Sequence, residues 1–247
     1  MDKRVSPVYR NKMEFVDEHL PSEGYVLDVG CGAGHHFHLY KNKNLKFVGV
    51  EPDEDLIQEN MINASAEEIP FQDELFDCVV CADVMEHVDD PEKSINEIKR
   101  SLKDGGKLIL TVPNKKFPFV YDPINWILGK FNTEIRGFGI WAWGHKRLYD
   151  EKSIKSLIED NGFKIHNYEG RSRNLVALSV GFFYFPWIAN YIVSPIMKKF
   201  GKGGFKNKDG IENSKVYKFY TRINELDKKK FKNSAFINHC IVAEKLQ

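Results

Sequence analysis

The run Tyr25-Val26-Leu27-Asp28-Val29 is closed by Gly30-Cys31-Gly32-Ala33-Gly34, and this joint restricts the chain to few folds. A short apolar run ended by glycine reads as a buried strand. Three alternating glycines let the turn fold tightly and let a ligand lie against bare backbone. Three more apolar runs follow, at Leu45–Val50, Phe76–Cys81 and Lys107–Val112. Pro91–Leu102 starts with proline, sets Ile95, Ile98 and Leu102 on one face, and stops at Asp104-Gly105-Gly106, a helix-stop signal. Strands alternating with amphipathic helices predict βαβ units, hence a doubly wound α/β fold with helices on both faces of a mostly parallel sheet. Such sheets bind ligands beyond the carboxyl ends of their strands.

The spacing here is G-x-G-x-G with His35 next, whereas a dinucleotide site wants G-x-G-x-x-G. A pyrophosphate is therefore poorly matched. Strand two ends at Glu51, where a carboxylate can accept both hydroxyls of a ribose. Asp28 adds a second carboxylate beside the turn. It would repel phosphate and suit a cationic or ammonium-bearing ligand.

Composition narrows the class. The 247 residues carry 36 Lys+Arg against 35 Asp+Glu, which excludes a uniformly basic nucleic-acid binder but not a basic patch. Cys31, Cys78, Cys81 and Cys240 are too few for a disulfide scaffold and read as reduced thiols in a cytoplasmic protein. The polar N-terminus shows no signal-peptide core. Cys78 and Cys81 have C-x-x-C spacing, but within a strand they point to opposite faces, so no shared metal is expected.

Beyond the glycine turn, VLDVGCGAG, VGVEPDEDLI and the long stretch from Ala64 to Asn114 together resemble the class I S-adenosylmethionine-dependent methyltransferases, in particular the small-molecule group related to quinone biosynthesis. The resemblance covers residues 22–114 well and 145–168 loosely. It implies a seven-stranded sheet with S-adenosylmethionine as cofactor. It places Gly30, Cys31, Gly32 and Gly34 along the methionine part and gives Asp28 its amino group, through water or the turn backbone. Glu51 would take the ribose, with Pro52 and Asp53 beside the adenine. Ser65-Ala66-Glu67 stands where the group usually has Asp-Ala-Glu, so a serine hydroxyl or the Ala66 backbone would meet the adenine amino group. Cys81-Ala82-Asp83 would follow the Phe76–Cys81 strand at the methyl-transfer end of the pocket.

A sulfonium methyl is already electrophilic, so a base is needed only where the acceptor must lose a proton. The resemblance supplies two candidates. Glu86-His87 sits just past the Phe76–Cys81 strand, at the pocket rim. His145 lies in a Gly-His-x-Arg-Leu stretch that, in relatives, arrives over the active site. In some relatives the Glu86-His87 segment, with Asp89 and Asp90, contributes to a metal site. Methyl transfer needs none, and none is expected.

Two insertions interrupt this core. Residues 115–145 are strongly aromatic, with Phe117, Phe119, Tyr121, Trp126, Phe131, Phe138, Trp141 and Trp143, and read as a lid over an apolar acceptor. Residues 171–232 separate Phe163–Tyr168 from Ala235–Ala243, the last two strands. Within them, 174–197 has no charge, and 198–232 carries 12 Lys/Arg against 4 Asp/Glu. Both flanking strands must join one sheet, so a single membrane crossing is excluded. A helical hairpin on the protein, a dimer contact and a segment lying in the membrane surface remain. The last is favoured, with Phe182, Phe183, Tyr184, Phe185, Trp187 and Tyr191 at headgroup depth and Lys198, Lys199, Lys202, Lys206 and Lys208 against anionic headgroups across 174–208.

The expectation is therefore one methyltransferase domain over 1–247. It would methylate an oxygen of an apolar or lipid-linked small molecule, in the cytoplasm or on the inner membrane face. A protein or nucleic-acid methyltransferase docking through the lysines is the first rival, weakened for nucleic acid by the lack of an N/D-P-P-Y motif. A non-catalytic cofactor-binding subunit is the second.

Overall fold

A computed structural model describes residues 7–137, 139–141, 143–181, 222–223, 225–227 and 234–247. Its elements are α1 (Pro7–His19), β1 (Tyr25–Val29), α2 (Phe37–Asn42), β2 (Lys46–Glu51), β3 (Met61–Asn63), β4 (Phe76–Ala82), α3 (Pro91–Ser101), β5 (Leu102–Pro113), α4 (Pro123–Leu128), α5 (Glu151–Glu159), β6 (Phe163–Arg171), α6 (Asn174–Gly181) and β7 (Asn238–Lys245). The seven strands form one sheet in the order β3-β2-β1-β4-β5-β7-β6. β7 alone runs antiparallel to its neighbours. The strand order reverses between β1 and β4, and doubly wound sheets bind ligands at that point.

The chain clusters into two compact units. One holds the sheet and comprises residues 12–115, 145–171 and 238–247. The other gathers residues 1–11, 116–144 and 172–237, and so contains most of both insertions.

In the sheet unit, β1, β4 and β5 are near-continuous apolar runs because helices cover both faces. Val26, Leu27, Val79, Val80, Leu108 and Ile109 are all fully buried. α3 begins where Asp90 accepts from the backbone N–H of Lys93 at 3.0 Å and Pro91 opens the first turn. It buries Ile95 and Ile98. α5 is started by a reciprocal pair, the Asp150 carboxylate on the Ser153 N–H and the Ser153 hydroxyl on the Asp150 N–H.

Three sequence expectations shift. β3 is a strand that no periodicity marked. Asp104-Gly105-Gly106 does not close α3. The helix ends at Ser101, and Leu102 already pairs with Phe76 as the first residue of β5. The last strand starts at Asn238 rather than Ala235. Its pairing with β6 matters for the second insertion. Arg171 lies opposite Asn238, so residues 172–237 leave and return at the same end of the sheet. Among the described residues no helix is long and apolar enough to cross a membrane. The residues 182–208 expected at headgroup depth lie outside the described residues.

Candidate active site

The loops that leave the carboxyl ends of β1 to β4 surround a cavity of about 330 Å³. Its lining comes from Gly30 after β1, Glu51 and Pro52 after β2, Ser65, Ala66 and Glu67 after β3, and Asp83, Val84, His87, Val88 and Asp89 after β4, with Lys146 from the loop before α5.

Gly30 has φ +65, and a Cβ on it would lie 2.5 Å from a Val84 methyl. Only glycine fits there, which keeps the turn backbone against the cavity wall. Glu51 is nearly buried. One carboxylate oxygen accepts from the Gly32 N–H at 2.8 Å and the other from the Asp53 N–H at 3.2 Å. The carboxylate thus ties the glycine turn to the end of β2, while Glu51 itself lines the cavity. Asn63 fixes the same strand end, donating to the carbonyls of Glu51 and Pro52 at 3.0 and 2.9 Å. Glu67 accepts from the Asp89 N–H at 2.7 Å and holds the loops after β3 and β4 together.

Other expected cofactor residues are not among those that line the cavity. Asp28 is 1% exposed, and its carboxylate turns to α2. One oxygen accepts from the Tyr40 hydroxyl at 2.9 Å and lies 2.6 Å from His36 Nε2. One oxygen of Asp28 is thus held by an internal link, and water or the turn backbone is its route to a ligand, as the resemblance implies. The Cys31 thiol lies under Gly49 of β2. Cys81 is fully buried within β4, and burial pushes its thiol far above the ordinary range. Asp83 and Val84 stand at the cavity edge where Cys81 was expected. Gly32 (φ +56) and Gly34 (φ +61) shape the turn, and Asp53 caps the following turn through Asp55.

The two catalytic segments meet. One ligand atom from each of Glu86, His87 and His145 lies within 4.8 Å of the others. The His87 and His145 rings stand 5.0 Å apart, edge to face. The loops carrying them are laced together. Lys146 N–H donates to the Glu86 carbonyl at 2.8 Å, the Tyr149 hydroxyl to Met85 at 3.0 Å, and the Arg147 guanidinium to the carbonyls of Met85, Val88 and Asp89. Glu86 is fully buried, and among the described residues neither of its carboxylate oxygens has a hydrogen-bond partner. Burial pushes its carboxyl up to about 8, with its own backbone and the Lys12 ammonium acting in the other direction. Below that pH it is a neutral acid. Two imidazoles and a carboxyl suit proton transfer, and the same donors suit a divalent transition ion. Asp90 is not part of this set, because its carboxylate caps α3.

Sequence reasoning gave Lys12 and Lys146 no role, and it named Asp83 only as the end of the Cys81-Ala82-Asp83 segment, which Asp83 carries to the cavity lining. Asp83 has φ +59, an uncommon conformation in which aspartate is over-represented. The Thr111 hydroxyl donates to its carboxylate at 3.0 Å, and the buried Lys12 ammonium from α1 pairs with its other oxygen. No local pattern marks a lysine on α1 as the partner of a residue after β4.

These residues fit S-adenosylmethionine. A bare glycine turn, a carboxylate at the end of β2 and the Ala66 backbone converge on one cavity at the reversal point of the sheet. Comparison with known proteins gives the same class. A methyltransferase-domain family model matches residues 1–168, and the chain belongs to that family. The ubiquinone/menaquinone biosynthesis C-methyltransferase UbiE of Haemophilus ducreyi is 31% identical over 135 residues, 50% of this chain and 51% of that protein. The chain thus spans about half the length of the curated relatives it matches. The phosphoethanolamine N-methyltransferase 2 of Haemonchus contortus, solved with S-adenosylmethionine, shares the fold at a TM-score of 0.57 and 15% identity, over 96% of this chain and 53% of that one. The cyclase SpnF shares it at 0.59 and 18% identity, over 96% and 82%. The chain thus carries a methyltransferase domain and is similar to UbiE over about half of each protein.

Proposed function

We propose that the protein methylates an oxygen of an apolar or lipid-linked small molecule at a membrane surface. The observation that carries the oxygen is the Glu86–His87–His145 cluster. A hydroxyl must lose its proton to become a good nucleophile, and an imidazole held beside a cofactor cavity can take it. UbiE is named as a C-methyltransferase of ubiquinone and menaquinone biosynthesis, which supports the apolar small-molecule class but not the oxygen.

When bound, the cofactor supplies an activated methyl group. In this reading Glu51 accepts from the ribose hydroxyls, Gly30, Gly32 and Gly34 give bare backbone to the methionine part, and Ser65 and Ala66 meet the adenine, with Pro52 and Asp53 beside it. His145 takes the proton of the acceptor hydroxyl. His87 lines the cavity and orients the acceptor. A neutral Glu86 is a positioning group for this task. An ionised carboxylate at that distance would hold a protonated imidazole and spoil the base. Arg147 and Tyr149 keep the two loops in register, so little reorganisation is needed at the moment of transfer.

The test is incubation with methyl-labelled S-adenosylmethionine and a whole extract of source cells, membranes included. Label extractable into organic solvent and released by base hydrolysis of a methyl ester or by hydriodic-acid cleavage of a methyl ether supports the reading. Label confined to soluble metabolites, protein or nucleic acid overturns it.

A further inference from the structure

The segment after β5 folds inside out. α4 carries its one polar residue, Asn125, inward, and the tight turn Gly129–Phe131 continues it. The buried Asp122 carboxylate accepts from the Asn125 N–H at 3.0 Å, the Asn125 side-chain amide at 2.8 Å and the Ile140 N–H at 3.1 Å. Asn125, also buried, accepts from the Ile135 N–H at 2.7 Å. The apolar residues face out. Phe131 is 76% exposed and Ile127 48%, with Ile124 and Trp126 beside them. Surface helices normally do the reverse. A contiguous exposed apolar patch marks an interaction site. The Asp122–Asn125 staple shows that these side chains are held outward by a satisfied polar interior.

Charge identifies the occupant. Between 116 and 137 the exposed charged residues are Lys116, Lys130, Arg136 and Glu134, and the one acid is paired with Arg136 at 2.8 Å. The Lys130 ammonium lies 3.8 Å over the Trp126 ring. Apolar side chains flanked by cations, with an indole between them, match a bilayer surface. The aromatic settles at headgroup depth, and the lysines meet lipid phosphate.

We propose that Ile124, Trp126, Ile127 and Phe131 form a wedge that inserts into the headgroup region of an anionic phospholipid bilayer, with Lys116 and Lys130 against the phosphates. This rests on the membrane-surface reading above and assigns the contact to a part of the chain that the sequence marked as a lid. A second copy of this chain is the rival occupant.

The experiment is co-sedimentation of the full chain with phosphatidylglycerol-containing vesicles and with phosphatidylcholine vesicles. Wild type, Ile127→Glu, Phe131→Glu and Lys130→Glu are compared, with thermal melting and S-adenosylmethionine binding recorded for each as folding controls. The wedge predicts that wild type sediments with the anionic vesicles, that added salt weakens this, and that each substitution lowers partitioning about tenfold or more with cofactor binding kept. Wild type remaining in the supernatant overturns both the wedge and the membrane-surface reading. Variants that sediment like wild type overturn the wedge alone. A wild-type dimer that the substitutions dissociate assigns the face to a second copy and also overturns it.

Discussion

The Nε2 atom of His36 lies 2.6 Å from the Asp28 carboxylate, which is 1% exposed and also accepts from Tyr40. Burial works to lower the His36 pKa, but the Asp28 charge and hydrogen bond prevail and the net shift is upward. The pair is therefore a folding element under the glycine turn. His36→Ala should cost about 3–5 kcal/mol, the usual result of leaving a buried charge alone. A raised histidine pKa adds stability that is complete below the unfolded value near 6.5 and is lost as pH rises through the folded value. The gap between wild type and variant in urea unfolding should be widest at acid pH and narrow as pH rises. A constant gap contradicts the ion pair.

Glu86 has a dependence of the same sign. Its pKa stands at about 8, above the unfolded carboxylate range. The folded state therefore binds more protons than the unfolded state between those values, and stability falls as pH rises through that window. Glu86→Gln keeps the neutral shape and removes the titration. The variant should melt close to wild type near pH 5 and several degrees higher at pH 9. Melting curves that track wild type across the range contradict the assignment.

Arg147 laces the loop after β4 to the loop before α5 through the carbonyls of Met85, Val88 and Asp89. Arg147→Met removes those bonds and leaves Gly30, Glu51 and Ala66 in place. Single-turnover methyl transfer should slow by about tenfold to a hundredfold, with S-adenosylmethionine affinity unchanged within about twofold. Equal losses in both would show that the clamp serves the cofactor cavity itself.

What could be read in advance follows the range of the interactions. The run into Gly30, the strand ending at Glu51 and the cap before Pro91 are local patterns, and they stand where expected. β3 is only Met61–Asn63, too short for alternation to register. Leu102 looked like the end of a helix because its partner, Phe76, lies across the sheet. Glu86-His87 and His145 were each visible, but only the fold brings them together. The tie from Asp28 to His36 was not legible, because nothing nearby shows that a helix eight residues on will turn His36 back onto it. The aromatic insertion shows the limit of composition, since a Trp126 facing in and one facing out are spelled the same.

The central claim is that the cavity at the reversal of the sheet holds S-adenosylmethionine through Glu51, and titration calorimetry with wild type and Glu51→Ala tests it most directly. Losing hydrogen bonds to a charged group costs about 1.5–3 kcal/mol. The account therefore predicts one cofactor bound per wild-type chain and an affinity weakened about tenfold to a hundredfold in a variant that still melts cooperatively. Undiminished binding by a folded Glu51→Ala, or no binding by wild type, would contradict it.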